Sequence, residues 1–247
     1  MSLAALPAVA GVPTATAAQM ARADRAAIDE LGISEAALME NAAHQVARVA
    51  RLILGGTAGR RIVALAGPGT NGGDALAAAR HLFGWGADVR AVLSHEREAL
   101  RPLCHAQAET LERSGVRVAR ADPDGVDEMA GADLLLDGLL GTSARGAPRD
   151  AIAELIRRAN RTGAPILAVD LPSGLDPDTG EPLGIAIRAA CTVTLALPKA
   201  GLLRPPARPL TGELVLADIG MPAAAHERAD LDVAALFGQG DLVRIIT

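Results

Sequence analysis

The chain holds two phenylalanines, one tryptophan and no tyrosine in 247 residues, so stacking platforms for bases or nicotinamide rings cannot be plentiful. Polar contacts must do most of the recognition. Cysteine is as scarce: Cys104 and Cys191 lie far apart, with no C-x-x-C and no histidine at metal-ligand spacing, and read as buried, inert thiols. A net charge of -5, with Lys and Arg scattered along the chain, leaves no electrostatic footprint for duplex DNA or RNA. Nucleic acid is set aside as a partner. No apolar run approaches the roughly 18 residues of a membrane span, so no membrane partner is expected. The opening MSLAALPAVAGVPTATAA is apolar and ends in an A-x-A arrangement, but no Lys or Arg precedes Arg22 and Pro7 and Pro13 interrupt it. Residues 1–15 are therefore expected to be a flexible tail and not a secretory signal, and the protein is placed in the cytoplasm. A Walker lysine, a G-x-S-x-G elbow and a zinc signature are all missing.

What is present is core material, since half of the residues are hydrophobic, and alternation. From Thr16 to Leu54 apolar residues recur at three and four, and Gly32 to Ser34 divide them into two helices. Strands then follow at 62–66, 89–93, 116–119, 134–136, 166–169, 192–197 and 213–217, with helices at 72–83, 97–114 and about 149–160. Helices and strands in turn predict an α/β fold with a mostly parallel central sheet and N-terminal helices. No repeat, linker or charge run marks a second domain, so 16–247 reads as one unit.

Chemistry collects at three strand ends. The first leads into GPGTNGGD, where Gly67, Gly69, Gly72 and Gly73 bare the backbone and Asn71 and Asp74 remain as polar groups at a helix mouth. The second runs LLLDGLLGTSARGAP, with Asp137 at the strand end, and the third runs ILAVDLPSGLD, with Asp170 and Ser173. In an open parallel sheet, ligands bind outside the carboxyl ends of the strands, so these loops are expected to share one crevice.

Each signal has a plainer counterpart. Gly67, Gly69 and Gly72 satisfy G-x-G-x-x-G, but the next strand ends on Ser94 and His95, without the acid an NAD ribose needs, which demotes a dehydrogenase. Asp74 either accepts from sugar hydroxyls or shapes and caps the helix start. Asp137 either binds a cation or donors in a site, or caps a neighbouring loop; with Asp170 and Ser173 it offers hard oxygen ligands for an alkali or alkaline-earth ion. The loop 141–148 offers amides, two hydroxyls and Arg145, suited to phosphate, or is a surface loop. Lys199 reaches either an anion or the surface, and His81, near a helix end, reads as structural.

Taken in order, ADRAAIDELGISEAALMENAA, GPGTNGGD, LLLDGLLGT, VDLPSGLDPDTG, TVTLALPKAGLL and ADIGMP resemble the YjeF N-terminal domain family from about Thr16 to Pro222. The resemblance implies a Rossmann-like αβα three-layer sandwich and an NAD(P)H-hydrate epimerase, an isomerase interconverting the R and S epimers at C6 of hydrated NADH or NADPH. It implies a potassium ion held by Asn71, Asp137 and Ser173, and substrate contacts on Thr70, Asn71, Gly72, Gly73 and Asp74, on Gly141, Thr142, Ser143, Ala144, Arg145, Gly146 and Ala147, and on Asp170. It further implies a homodimer working with a separate dehydratase. If C6 loses its hydroxyl as water to leave an iminium, a carboxyl must serve as acid and then base; Asp170 is assigned that role because Asp137 should stay ionised on the cation. Thr70 stands where the family commonly has asparagine, and Ala75 where it has glycine. The alternative is a non-catalytic nucleotide-binding or scaffold module of the same fold.

Overall fold

The computed structural model describes residues 2–122, 128–233 and 236–246. A short strand, β1 (Ala8–Val9), precedes two helices. The first, α1 (Ala17–Arg25), opens on a capping box in which Thr16 Oγ1 accepts from the Gln19 amide and Gln19 Oε1 accepts from the Thr16 amide. Two donors without intrahelical partners are thereby satisfied. A wider π turn (Ala26–Glu30) continues it, and Gly32, at a φ of 74°, redirects the chain. In α2 (Glu35–Leu54) the Ser34 hydroxyl accepts from the Ala37 amide at the start, and Gly55 supplies the left-handed residue that ends it.

Alternation then begins with β2 (Arg61–Ala66), α3 (Thr70–Gly84), β3 (Asp88–Leu93), α4 (Pro102–Arg113), β4 (Arg117–Arg120), β5 (Leu134–Gly138), α5 (Asp150–Arg161) and β6 (Ile166–Val169). It closes with β7 (Cys191–Leu195), α6 (Arg208–Thr211), β8 (Glu213–Ala217), α7 (Ala223–Glu227) and β9 (Leu242–Ile245). The helix expected over 97–114 is divided: Arg97–Ala99 forms one 3-10 turn and α4 starts at Pro102. Proline fits the first helical turn but holds the preceding residue extended, and Arg101 sits at ψ 152°.

Among the described residues nine strands form one sheet in the order β1-β9-β8-β7-β6-β5-β2-β3-β4, parallel from β4 to β8, with β9 antiparallel to β8. Side-chain alternation assigns the two faces. On β2, Ile62, Ala64 and Ala66 join the core beneath α1 to α4, while Val63 and Leu65 join the core beneath α5. The sheet is covered on both sides, as a parallel sheet requires. Among the described residues no helix is long and apolar enough to cross a membrane.

The stretch expected as a flexible tail contributes to the sheet. Ala8 and Val9 pair in parallel with Arg244 and Ile245, and Ala15, wholly buried, pairs beside Lys199 through bonds to Pro198 O and from the Ala200 amide. A two-residue strand between Pro7 and Pro13 has too few positions to show a period. α1 is also tied at its ends. Asp178 accepts from the Ala17 amide at 2.7 Å, Arg22 donates to Ala229 O at 2.9 Å, and Arg228 pairs with Glu30 beyond the π turn.

β2 has β3 on one side and β5 on the other, so the chain reverses its direction of travel across the sheet between β2 and β5. The crevice outside their carboxyl ends is where an open α/β sheet places its ligand.

Candidate functional site

The turn after β2 is pressed against the loop after β5. The Gly67 amide donates to Gly138 O at 3.0 Å, and a Cβ on Gly67 would stand 1.8 Å from Leu139 O. A Cβ on Gly72 would stand 2.1 Å from Gly67 O, and one on Gly73 would meet Met39 Cε at 2.6 Å. Three glycines therefore admit the protein's own atoms, two of them its backbone, and only Gly69 faces open space. Gly69 caps α3 without a side-chain bond, leaving the first amides of the helix for a ligand.

A cavity of about 570 Å³ opens at this point. Thr70, Asn71, Asp74, Gly141, Thr142, Ser143, Ala144 and Asp170 line it, gathered from the ends of β2, β5 and β6. Gly72 and Gly73 lie behind its wall, and Arg145, Gly146 and Ala147 lie outside it. Arg145 donates to the carbonyls of Thr142 and Ala144, each at 2.8 Å, so its guanidinium braces its own loop.

The opposite wall is apolar and comes from the N-terminal helices, through Met20, Ile28, Leu38, Met39 and Ala42. Asp24 and Glu35 from these helices, Arg101 before α4 and Lys199 after β7 add charge. Asp24 was not singled out in the sequence, although its place on the apolar row Met20, Asp24, Ile28, spaced four apart on one helix face, is a signal that marks it.

Asp74 sits in the second turn of α3, because the helix begins at Thr70 and not at 72. The capping role considered for it falls away, since none of its oxygens has a hydrogen-bond partner among the described residues. It is 6% exposed. Burial pushes its carboxyl well above the usual range, and the charges of Asp170, Asp24 and Glu35 push further, against Lys199. The Asp24 carboxyl meets solvent inside the cavity, yet the surrounding walls raise it to about 6.

Asp170 stands at a φ of 69°, a left-handed backbone that aspartate tolerates better than most residues. Its Oδ1 accepts from the Lys199 ammonium and from the Leu195 amide at 3.1 Å. Lys199, one of two readings in the sequence, is 2% exposed and serves this buried ion pair and the Leu195 carbonyl, not the surface.

Asp137 and Ser173 meet beneath the cavity floor. Asp137 is wholly buried and accepts from Ser173 Oγ at 2.6 Å, from the Ser173 amide at 2.8 Å and from the Leu139 amide at 3.3 Å. Burial raises its carboxyl to about 6 against the lowering effect of those donors. The Leu140 amide donates to Ser173 Oγ, and Asn71 Nδ2 donates to Leu140 O at 2.9 Å, so all three expected metal residues converge on the 139–140 backbone. No group of three or more His, Cys, Asp or Glu suited to a metal occurs among the described residues. Carbonyl, hydroxyl, amide and one carboxylate oxygen are the donors on offer.

The family model described as YjeF-related protein N-terminus matches residues 35–201. An NAD(P)H-hydrate epimerase of Dehalogenimonas lykanthroporepellens is 41% identical over 228 residues, 92% of this chain and 90% of that one. A bifunctional NAD(P)H-hydrate repair enzyme Nnr of Moorella thermoacetica is 40% identical over 217 residues, 84% of this chain; the chain spans about 40% of the length of that relative. Among solved structures, the yeast protein ynu0, YNL200c, superposes with a TM-score of 0.78 over 94% of this chain and all of the other, at 22% identity.

Proposed function

The chain belongs to the YjeF-related protein N-terminus family, and from that premise we propose that it is an NAD(P)H-hydrate epimerase acting at C6 of the hydrated nicotinamide ring. One observation carries the reading: Thr70, Asn71, Asp74, 141–144 and Asp170, from three separate strand ends, line a single cavity. That cavity offers unpaired helix amides and Arg101 for an anionic dinucleotide, an apolar wall for ring faces, and carboxyls for proton transfer.

Loss of the C6 hydroxyl as water leaves a cationic iminium, and water returning to the other face gives the other epimer. The Asp170 carboxylate, held by Lys199, is placed to balance that cation and to orient the ring. This assigns Asp170 an electrostatic part in place of the acid-then-base part expected from sequence.

The residues fit a potassium ion. Asp137 is buried with donors around it but, among the described residues, no cationic side chain paired with it; Ser173 Oγ contacts it, and Leu140 O, which accepts from both Ser173 Oγ and the Asn71 side-chain amide, adds a hard oxygen to the same cluster. When bound, the ion would supply the missing positive charge and fix the 139–141 backbone that forms the floor. An epimerase alone removes no damaged nucleotide, so its product is consumed by a dehydration specific for one epimer.

The test is incubation with one pure epimer of hydrated NADH or NADPH where spontaneous equilibration is slow. Acceleration towards the mixture supports the reading, no acceleration leaves a scaffold module, and redox turnover indicates a dehydrogenase.

A further inference from the structure

We propose that Asp74 and Asp24 are the proton-carrying pair of the site, Asp74 as the acid at the departing C6 hydroxyl and Asp24 as the base for the returning water. This rests on the epimerase reading above.

Asp74 carries the argument. It is a carboxyl nine-tenths buried, bordering the cavity, with no hydrogen-bond partner among the described residues. Burying a carboxylate without partners is costly, whereas a neutral carboxylic acid in the same place has a proton to give. Every other buried acid of the site has its donors: Asp137 has Ser173 and Leu139, and Asp170 has Lys199 and Leu195. Asp24 borders the same cavity from α1, a different wall from the α3 wall that carries Asp74. Two carboxyls on separate walls meet the demand of inversion, in which water leaves one face of the ring and arrives at the other.

The electrostatics agree. The groups facing Asp74 are Asp170 from the end of β6, Asp24 from α1, Glu35 from α2, Lys199 after β7 and Cys104 from α4, the last with its thiol pushed up to about 12 and so neutral. Three of the four charged ones are acids, which favours the protonated form of Asp74. Asp24, at about 6 with Lys199 and Arg25 opposing its shift, is the one able to be ionised near neutrality. Paired carboxyls with separated proton affinities divide the roles of acid and base.

In the step, Asp74 gives its proton to the C6 hydroxyl, the C6–O bond breaks with its electrons on the departing water, and the ring-nitrogen lone pair forms the C=N bond of the iminium. Water then bonds to C6 from the other face, returns that electron pair to nitrogen and yields a proton to Asp24. Solvent in the cavity resets both carboxyls, and the reverse direction exchanges their roles.

A pure epimer incubated in heavy-oxygen water with wild type, Asp74→Asn, Asp74→Glu and Asp24→Asn tests this, each variant checked for its unfolding transition and for binding of the hydrated dinucleotide. The expected result is heavy oxygen entering C6 with each inversion, and a loss in Asp74→Asn of about 100-fold in kcat with KM little changed. Asp74→Glu restores part of it. The wild-type rate falls on the basic side as Asp74 loses its proton and on the acidic side, below about pH 6, as Asp24 gains one; each Asn variant loses its own limb. Inversion that retains the original oxygen means the ring opens at the C6–N bond, which overturns the proposal but not the epimerase reading. Wild-type kcat and profile in Asp74→Asn overturn it as well. A wild type that does not epimerise overturns the epimerase reading itself.

Discussion

Lys199 and Asp170 meet in the cavity wall, one from the segment after β7 and the other from the end of β6, and share the Leu195 peptide region as a common anchor. The ammonium donates to Asp170 Oδ1 and to Leu195 O at 3.0 Å, while the Leu195 amide donates to the same Oδ1. No hydrogen bond to Asp170 Oδ2 occurs among the described residues, and Asp170 borders the cavity.

Replacing Lys199 by Met leaves Asp170 buried without its cation. Breaking a buried pair from one side costs about 3 kcal/mol, and Lys199→Met should lose this in urea unfolding. The double variant with Asp170→Asn should recover part, because no uncompensated charge remains. Asp170→Asn alone keeps a residue that tolerates the left-handed backbone, so it should fold and lose at least about 10-fold in kcat.

Gly67 and Gly69 should respond oppositely to alanine. At Gly67 the new methyl meets the Leu139 carbonyl at 1.8 Å, a backbone clash that no rotamer relieves, so Gly67→Ala should cost about 3 kcal/mol or fail to fold. At Gly69 nothing lies within 4 Å and φ is -95°, so Gly69→Ala should unfold like wild type while weakening dinucleotide binding. Thermal unfolding and binding titrations check both.

If potassium occupies the proposed site at Asp137, it should raise the melting temperature above that in lithium. Asp137→Asn should abolish the difference, and Ser173→Ala should reduce it. An unfolding series in chloride salts of equal ionic strength reads this directly; equal transitions in both salts would sink the potassium assignment.

Asp24 makes stability depend on pH. Its carboxyl stands at about 6 in the folded chain against 3.8 ordinarily, so the folded state holds a proton that the unfolded state has released. Its contribution is therefore present below about pH 4 and is lost as pH rises to about 6. Measured by urea unfolding, the stability of wild type relative to Asp24→Asn should decline across that window, and a flat difference would contradict it.

Asp137 and Asp170 were legible because each closes an apolar strand run, and a parallel sheet sends all such ends to one side. Asn71 and Asp74 were legible because the glycines around them need a reason. The state of Asp74 was not, since it depends on Asp170, Asp24 and Glu35, which only folding brings near. Lys199 was undecided for the same cause: nothing in LALPKAGL says whether its ammonium turns inward. β1 and β9 escaped because strands of two and four residues at one end of the sheet are too short to show a period, and the role of Arg145 because a guanidinium suited to phosphate serves carbonyls equally well.

The ties on α1 bear on one wall of the cavity. Its leading end is hydrogen-bonded into the segment around Lys199 and to Asp178, and its far side is pinned through Arg22 and the Glu30–Arg228 pair. A helix fastened at both ends is no hinged jaw. The part of the cavity wall that Met20 and Asp24 provide is therefore anchored from both ends of its own helix.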